Sequence, residues 1–592
     1  LKLKSAKTPK ESEASYGTGC KKVMSKDTEN RICQNCKSEF IIEPEDFNFY
    51  EKIKVPAPTW CPECRMIRRL ACQNPWALFY RNCDKCGGRT LSMYPPTQKI
   101  IVFCQPCWWG DSWDGTEYAM DYDSNKPFLA QWKELSEKTP YVALETTYLT
   151  LKNCEYSNSI AYSKNCTLAI WADNCENVYF SSLLNGLKYS SDCIRGYQSE
   201  LCYESIGFTK NYRTFFSDEC DTCVDVWFSR NCYSCTNCVG CVNLRGTSNC
   251  IFNIKYSKEE YEEKLKELRL DSWKSLREIE RQAHEFWLTK PYREYNSHSL
   301  NLNVTGEHVY TSKNSKEMYI VNGAENCKWC QLITVPPAKD CWDYSGWGNN
   351  AELIYESLNV GDHVSNSKFC GYSFPDVINT EYSLWCIAVK NSFGCVNLKR
   401  KNYSILNKQY SKEEYEILKE KIIEDMKNNP YVDNQGKSWP YGEFFGPGFG
   451  KFAYNNSSAY KFFPKTKEEA LAEGFTWNDE EEKQVDATIG GDDLPGTINM
   501  TNESILKEII SCINCKRKYK INALELDLLK KMNLPIPHEC PRCRENKRFT
   551  RMTKPKMYHR NCAKCNTNIY TPYAPGRLEI IYCVKCYQNE FL

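Results

Sequence analysis

Sixteen cysteines of this chain form eight Cys-x-x-Cys pairs, the arrangement that proteins use to bind zinc. One such turn supplies two thiolates from a tight loop, and two turns supply the four soft ligands that Zn²⁺ takes in a tetrahedron. The eight pairs therefore predict four structural Zn²⁺ sites. The predicted ligands are Cys33, Cys36, Cys61, Cys64, Cys83, Cys86, Cys104, Cys107, Cys512, Cys515, Cys540, Cys543, Cys562, Cys565, Cys583 and Cys586.

The eight pairs belong to two copies of one module. Every cysteine of the second copy lies 479 positions after its counterpart, without insertion or deletion. The last two pairs of the first copy fit the zinc-ribbon spacing, and a longer excursion separates the first two. We pair them sequentially, first with second and third with fourth. A cross-braced pairing, first with third and second with fourth, is the alternative. Closed four-thiolate sites stabilise folds and do not catalyse reactions.

The second copy of the module is strongly basic. From Cys512 to Cys586 it has 17 Lys and Arg and five Asp and Glu, a net charge of +12, against +3 from Cys33 to Cys107. Guanidinium groups beside aromatic rings suit phosphate contact and base stacking. We therefore predict a nucleic-acid partner, RNA or ribosome before duplex DNA. The predicted contacts are Lys516, Arg517, Lys518, Arg542, Arg544, Lys547, Arg548, Arg551, Tyr558 and Arg560.

Two other functions are weighed against nucleic-acid binding. The chain could be a zinc-stapled scaffold that binds protein partners or itself, and a carbohydrate-active β-helix enzyme is a minor alternative. The six histidines form no spaced pair, and the chain has no Walker loop, dinucleotide fingerprint or nucleophile elbow. A non-enzymatic function is therefore the favoured hypothesis.

The centre of the chain has a short repeat that predicts a parallel β-helix. Cys166, Cys175, Cys193, Cys202 and Cys220 recur at intervals of nine or twice nine, and Cys223, Cys232, Cys241 and Cys250 step by nine. Such a period indicates a solenoid in which a small residue points inward at the same place of each coil. Asn often precedes these cysteines. It tolerates a left-handed φ and can hydrogen-bond its equivalent in the next coil.

One run of cysteines resembles an iron–sulfur motif. Cys232, Cys235, Cys238 and Cys241 recur at every third position. A second long repeat lies 154 positions later, and in it Cys235, Cys238 and Cys250 align with Val389, Ser392 and Ser404. A buried small position tolerates this exchange and a four-thiolate site does not, so the solenoid interpretation is favoured.

Each predicted solenoid is followed by a helix with a capping box. Ser257 with Glu260 and Ser411 with Glu414 have the N-cap and N3 spacing, and apolar residues follow at helical intervals. We expect these helices to cover the open end of each coil stack.

The predicted fold is a mainly β, multidomain chain in which terminal double zinc-ribbon modules flank two β-helix-like solenoids. The boundaries are a flexible segment (1–30), the N-terminal module (31–110), an aromatic and helical connection (111–150), the first solenoid (151–256), its capping helix (257–290), the second solenoid (291–410), its capping helix (411–428), a Gly/Pro/aromatic strap with a short helix (429–477), an acidic flexible linker (478–500) and the basic C-terminal module (501–592).

The predicted setting is a reducing cytoplasm. The chain has 36 cysteines, sixteen of them in zinc-type pairs, and it is too large to need disulfides for stability. No apolar run reaches the ~18 to 20 residues that span a bilayer, so no membrane partner is expected. The first residues lack the apolar core of a signal peptide, and the start at leucine suggests that the true N-terminus is missing.

The chain also resembles a group of large zinc-ribbon proteins from candidate-phyla bacteria. The resemblance rests on the two eight-cysteine modules, on Cys-Val-Asn-Leu-(Arg/Lys) at 241–245 and 395–399, on Tyr-Ser-Lys-Glu-Glu-Tyr at 256–261 and 410–415, and on Tyr-Gly-Glu-Phe-Phe at 441–445. It covers nearly the whole chain. It implies the architecture above and a bacterial cytoplasmic setting, and it implies no reaction.

Overall fold

The structure is a computed structural model that describes residues 27–296, 300–349, 351–479 and 485–591. It divides into two compact units, Leu1–Cys61 and Pro62–Leu592. The boundary falls inside the predicted N-terminal module. Positions 1–26 of the predicted flexible segment and 480–484 of the predicted linker lie outside the described residues. No helix within the described ranges is long and apolar enough to cross a membrane.

The first unit is a β-hairpin followed by one helix. β1 (Glu29–Ile32) pairs antiparallel with β2 (Glu39–Ile42), and α1 (Pro44–Lys52) follows. Phe40 and Ile42 are buried on one face of β2, as alternation predicts. Glu43 and Asp46 form a capping box at the start of α1.

The second unit begins with the remainder of the first module and a connection. Its elements are α2 (Pro62–Ala71), β3 (Phe79–Asn82), β4 (Arg89–Ser92), β5 (Val102–Phe103), α3 (Gln105–Trp109), α4 (Phe128–Lys138) and β6 (Tyr141–Val142). Trp108 is fully buried, and the Lys399 ammonium lies 4.1 Å from the centre of its ring. Trp108 is therefore part of a packed core that attaches this segment to the second half of the chain.

The first parallel sheet has twelve strands. Its strands pair in parallel, except for the closing antiparallel pair β17–β18. Most paired residues of neighbouring strands are 12 positions apart in sequence, as Cys238 and Cys250 are. The strands are β7 (Asn158–Ala161), β8 (Thr167–Asp173), β9 (Glu176–Asn185), β10 (Lys188–Ser191), β11 (Ile194–Tyr197), β12 (Glu200–Tyr203), β13 (Ile206–Thr209), β14 (Tyr212–Phe215), β15 (Val224–Trp227), β16 (Thr236–Val239), β17 (Ser248–Ile251) and β18 (Ile254–Lys255).

A three-residue backbone repeat explains this register. From Asn153 to Phe252 nearly every third residue has a positive φ, and the residue after it is usually buried. Four such triplets separate the paired positions of neighbouring strands. The cysteines spaced by nine were expected at the same place of each coil, but paired positions of neighbouring strands are 12 residues apart, so an interval of nine spans three triplets and does not join paired positions. The predicted Asn ladder is confirmed: Asn165 donates a hydrogen bond to Asn177 at 3.1 Å and Asn231 to Asn243 at 2.8 Å.

Small polar side chains on the buried face of the sheet form hydrogen bonds with its backbone. Ser181, Cys193 and Ser205 occupy the same place in successive steps of four triplets. The Ser181 hydroxyl accepts from the Cys193 amide at 2.9 Å and donates to the Tyr179 carbonyl at 2.6 Å. Buried polar groups are stable only when they are hydrogen-bonded, and these short side chains meet that need without adding bulk.

The second parallel sheet follows two helices, α5 (Lys258–Glu267) and α6 (Trp273–Leu288), and strand β19 (Tyr292–Arg293). It has an eight-stranded and a four-stranded part, with the same left-handed triplets and a less regular offset between paired strands. Its strands are β20 (Leu302–Tyr310), β21 (Lys313–Asn322), β22 (Ala324–Glu325), β23 (Gln331–Ile333), β24 (Ala338–Lys339), β25 (Trp342–Gly348), β26 (Ala351–Glu352), β27 (Tyr355–Gly361), β28 (Ile378–Glu381), β29 (Lys390–Phe393), β30 (Asn402–Ile405) and β31 (Lys408–Gln409).

Both predicted capping boxes are present. Ser257 and Ser411 accept hydrogen bonds from the amides of Glu260 and Glu414 at the starts of α5 and α7 (Lys412–Asn428). The rings of Tyr403 and Tyr415 lie 5.7 Å apart, which places α7 against β30.

The rest of the chain packs on the two sheets. Its elements are β32 (Tyr431–Val432), β33 (Ser438–Trp439), α8 (Ser458–Phe462), α9 (Lys467–Ala472), β34 (Ile489–Gly490), β35 (Ile510–Ser511), β36 (Lys518–Tyr519), α10 (Ala523–Met532), α11 (Pro541–Arg551), β37 (Tyr558–Asn561), β38 (Asn568–Thr571), β39 (Ile581–Tyr582) and α12 (Val584–Phe591). Leu494 and Ile498 share a buried cluster with Phe215 and Trp227. Part of the expected flexible linker is therefore packed core.

Candidate metal centres

The sixteen predicted ligands form four groups of four. The four sulfur atoms of each group all lie within 4.8 Å of one another. The pairing is sequential, and the cross-braced alternative is wrong. The groups are Cys33/Cys36/Cys61/Cys64, Cys83/Cys86/Cys104/Cys107, Cys512/Cys515/Cys540/Cys543 and Cys562/Cys565/Cys583/Cys586.

The sulfur spacing fits a tetrahedral metal ion. The Sγ atoms of Cys86 and Cys104 are 3.9 Å apart, and those of Cys512 and Cys543 are 3.8 Å apart. Four sulfurs at ~2.3 Å from one Zn²⁺ would be about 3.8 Å apart, and a disulfide needs ~2.05 Å. All these cysteines are free thiols. The donor set therefore fits Zn²⁺ held by four thiolates.

Each centre takes one ligand pair from a tight turn and the other from the start of a helix. The turn is closed by a left-handed residue after its second cysteine: Lys37, Gly87, Lys516 and Asn566 all have φ between 58° and 72°. The helical pairs begin at Cys61, Cys104, Cys540 and Cys583. Helix N-termini carry partial positive charge and favour thiolates.

Backbone N–H groups also favour thiolates. The Cys540 amide donates to Cys512 Sγ at 3.3 Å, and the Cys104 amide to Cys83 Sγ at 3.2 Å. Although burial acts in the opposite direction, these and neighbouring N–H groups lower the pKa of Cys83 and of Cys512 to about 7. These lowered pKa values favour the thiolate forms of Cys83 and Cys512, which metal binding requires.

The helix that carries the first module's second cysteine pair also carries three buried arginines. Arg65, Arg68 and Arg69 on α2 are at most 1% exposed. They bind carboxylates of the second parallel sheet: Arg65 lies 2.8 Å from Asp343, and Arg69 lies 3.1 Å from Glu356. The α2 segment is therefore fixed to the second sheet by desolvated ion pairs.

The corresponding helix of the second module binds the first sheet in the same way. Arg548 on α11 lies 3.0 Å from Asp192 and 2.9 Å from Glu204, and Arg544 lies 3.3 Å from Asp192. Arg544 and Arg548 are 1% and 0% exposed. Each of these two helices thus packs against the sheet farther from it in sequence.

The ten predicted nucleic-acid contacts separate into three groups. Four are engaged inside the protein: Arg544 and Arg548 as above, Lys547 with Glu280 at 3.4 Å, and Arg551 with Asp218 at 3.1 Å. Arg560 donates to the carbonyls of Ala574 and Glu579, and Tyr558 is half-buried. Exposed side chains are found at Lys516, Arg517, Lys518 and Arg542.

The acidic partners were not predicted. Asp192, Glu204, Asp343 and Glu356 all occupy the left-handed position of a triplet. Asp343 and Glu356 lie one step apart on the paired strands β25 and β27, and Asp192 and Glu204 directly follow the paired strands β10 and β12. That spacing, together with arginines shared by the two modules at positions 65/544 and 69/548, is the signal that could have located them.

Comparisons of the chain with protein-family models, with curated proteins and with solved structures found no match.

Proposed function

We propose that this protein is a non-enzymatic, zinc-stapled scaffold. In it, zinc centres at both ends of the chain hold arginine-bearing helices against two solenoids, whose faces bind protein partners. The observation that carries this proposal is the burial of Arg548 between Asp192 and Glu204, shortly after a zinc knuckle. A basic helix of this kind serves the protein's own architecture.

Zinc is the favoured metal at all four centres. Thiolates are soft ligands, and a closed Cys₄ set leaves no open position for substrate. Bound Zn²⁺ would fix the turn of one ligand pair to the first turn of the helix that supplies the other. For α11 this fixes Cys540 and Cys543 immediately before Arg544, so metal binding would orient the arginines toward the first sheet.

Two solenoids are the simplest explanation of the parallel sheets. The left-handed triplet, the small inward residues and the nearly constant parallel offset describe a coil of four short sides. The antiparallel closing strands β18 and β31 and the helices α5 and α7 follow the last parallel strand of each sheet, as end caps would. Such stacks present long, rigid faces suited to protein docking.

Nucleic-acid binding is the second candidate. It is favoured by the exposed cations Lys516, Arg517 and Lys518, which follow the first cysteine pair of the C-terminal module. Four of the ten predicted contacts are engaged in internal ion pairs, which reduces the basic surface available to phosphate. Variants of Arg544 or Arg548 would report on folding and not on nucleic-acid contact.

The two candidates are separated by one titration on the full chain. Zinc-loaded protein is titrated with single-stranded RNA and duplex DNA between about 50 and 200 mM salt, as wild type and as K516E/R517E/K518E. The matched control, K258E/K266E/K274E, reverses three exposed lysines on α5 and α6. Phosphate contact predicts affinity that falls steeply with salt and is lost only in the first variant. Salt-independent self-association, or no nucleic-acid binding at the lowest salt, supports the scaffold.

A further inference from the structure

The end of the first parallel sheet encloses a column of seven thiols. Their exposure is 0 to 2%, and they form a buried cluster with Val226. Elsewhere in this sheet the inward cysteines are interspersed with Ala, Val, Leu and Ser. The column consists of Cys220, Cys223, Cys232, Cys235, Cys238, Cys241 and Cys250.

The register places six of these thiols in three stacked pairs. Cys238 is the direct parallel partner of Cys250. The hydrogen bond from the Val224 amide to the Cys235 carbonyl places Cys223 beside Cys235, one step of the sheet away. The hydrogen bond from the Asp221 amide to the Cys232 carbonyl places Cys220 beside Cys232 in the same way. Three pairs of thiols therefore lie one step of the sheet apart.

The arrangement differs from that of the four zinc centres. Among the residues that the structure describes, these sulfurs do not form a group of three or more within 4.8 Å of one another. Tetrahedral Zn²⁺ and iron–sulfur clusters need such a group. A soft monovalent cation such as Cu(I) also selects thiolates and can be held by two of them in a line.

We propose that the thiol column is a binding site for Cu(I). In the structure, each thiol of the column donates a hydrogen bond to the carbonyl two positions earlier, as Cys235 does to Tyr233 at 3.4 Å and Cys238 to Thr236 at 3.5 Å. Binding replaces S–H protons by S–Cu bonds and releases those protons to solvent, with no change in the oxidation state of sulfur or copper. This inference does not depend on the scaffold function.

The second sheet provides a matched comparison within the same chain. At the positions aligned with Cys235, Cys238 and Cys250 it has Val389, Ser392 and Ser404. These three side chains are fully buried in an intact sheet. The variant C235V/C238S/C250S therefore copies side chains that this fold accepts, and it interrupts the column.

The experiment uses the full chain, reduced and loaded with zinc under nitrogen. Cu(I) is supplied from its bicinchoninate complex, and bound copper and zinc are counted by native mass spectrometry. The column variant is compared with wild type and with C175A/C370S/C395S, which removes three inward cysteines outside the column. Wild type and control are expected to bind at least one more Cu(I) per chain than the column variant, while all retain four zinc ions.

Equal copper uptake by wild type and column variant would overturn the proposal, as would copper uptake matched by loss of zinc. Should the triple variant fail to fold, C238S alone replaces it, because it removes the register partner of Cys250. In that case unchanged copper binding by C238S overturns the proposal, and loss of at least one copper ion supports it.

Discussion

Arg69 and Arg548 lie 479 positions apart, at the same place of the two modules, and each binds an aspartate and a glutamate that are one step of a parallel sheet apart. Nη1 of Arg69 is 3.2 and 3.1 Å from its two carboxylates, and Nη1 of Arg548 is 3.0 and 2.9 Å from its own. One ion-pair pattern thus fixes both helices, each to the sheet farther away in sequence. The carboxylates are those of Asp343, Glu356, Asp192 and Glu204.

Replacing Arg548 by alanine should detach α11 from the first sheet. The variant leaves Asp192 and Glu204 buried without this cation, and breaking a buried pair costs about 3 to 5 kcal/mol. We expect amide hydrogen exchange in the segment 541–551 to accelerate and the melting temperature to fall.

The control for this change is Arg281→Ala on α6. Arg281 binds Glu278 and Glu285 at the surface, where solvent screens the ion pairs and they contribute little to stability. Equal effects of the two substitutions would show that the burial of Arg548 does not hold the helix. R69A should accelerate exchange in α2 and leave α11 unchanged.

Replacing the zinc ligand Cys540 by serine should have a local effect. The loss of one thiolate opens the centre that begins α11, so bound zinc should fall from four ions to three per chain. Hydrogen exchange in α11 should rise, while exchange in the segment 83–107 stays unchanged. Zinc is counted by mass spectrometry. Cys250→Ser, at a buried cysteine outside the centres, should keep four ions, and a count of four in C540S would contradict the assignment.

The stability of the second unit should fall as pH rises from 5 to 7 and level off above. Burial raises the pKa of Glu307 from 4.5 to about 7, although Arg195 and the Asn296 amide act in the opposite direction. A carboxyl whose folded pKa is raised stabilises the fold fully below its unfolded pKa and has lost this contribution once pH passes the folded value. The shift corresponds to roughly 3 kcal/mol for one fully buried group.

Glu307→Gln tests this by removing the titrating group. The melting temperature of wild type is measured between pH 5 and 8, and the decline should be smaller in E307Q. The melting temperature of E307Q should still decline in part as pH rises, because burial also raises the pKa values of Glu219 and Glu525 to about 7. An identical decline in both proteins would contradict the prediction.

The interior of the first sheet should accept serine and reject large side chains at Cys193. Ser181 and Ser205 occupy the equivalent positions of the neighbouring strands, 12 residues before and after Cys193. C193S should therefore change stability by less than about 1.5 kcal/mol. C193F adds a ring to a filled core and should cost ~1 to 3 kcal/mol or more. Denaturant midpoints of the two variants measure the difference, and similar midpoints would contradict a filled interior.

Local features of the fold could be predicted because they depend on short stretches of chain. Asn237 and Asn249, which each precede a cysteine, were expected to tolerate positive φ and to pair, and they do. The capping boxes at Ser257 and Ser411 were also present as expected. The nine-residue cysteine period, in contrast, did not reveal the offset of four triplets, because any multiple of three places a residue inward and the offset depends on which strands pair in space.

The sequence by itself determined which cysteines come together in groups that could hold a metal ion, since Cys-x-x-Cys spacing and an exact duplication restrict which thiolates can meet. Only the tertiary structure decided what the basic residues do. Arg544 and Arg517 both follow a cysteine pair and carry the same charge, but Arg544 is buried and Arg517 is exposed. The difference comes from carboxylates in a distant part of the chain that the folded sheet brings to α11. An ion pair between residues so far apart in sequence leaves no local pattern in the sequence.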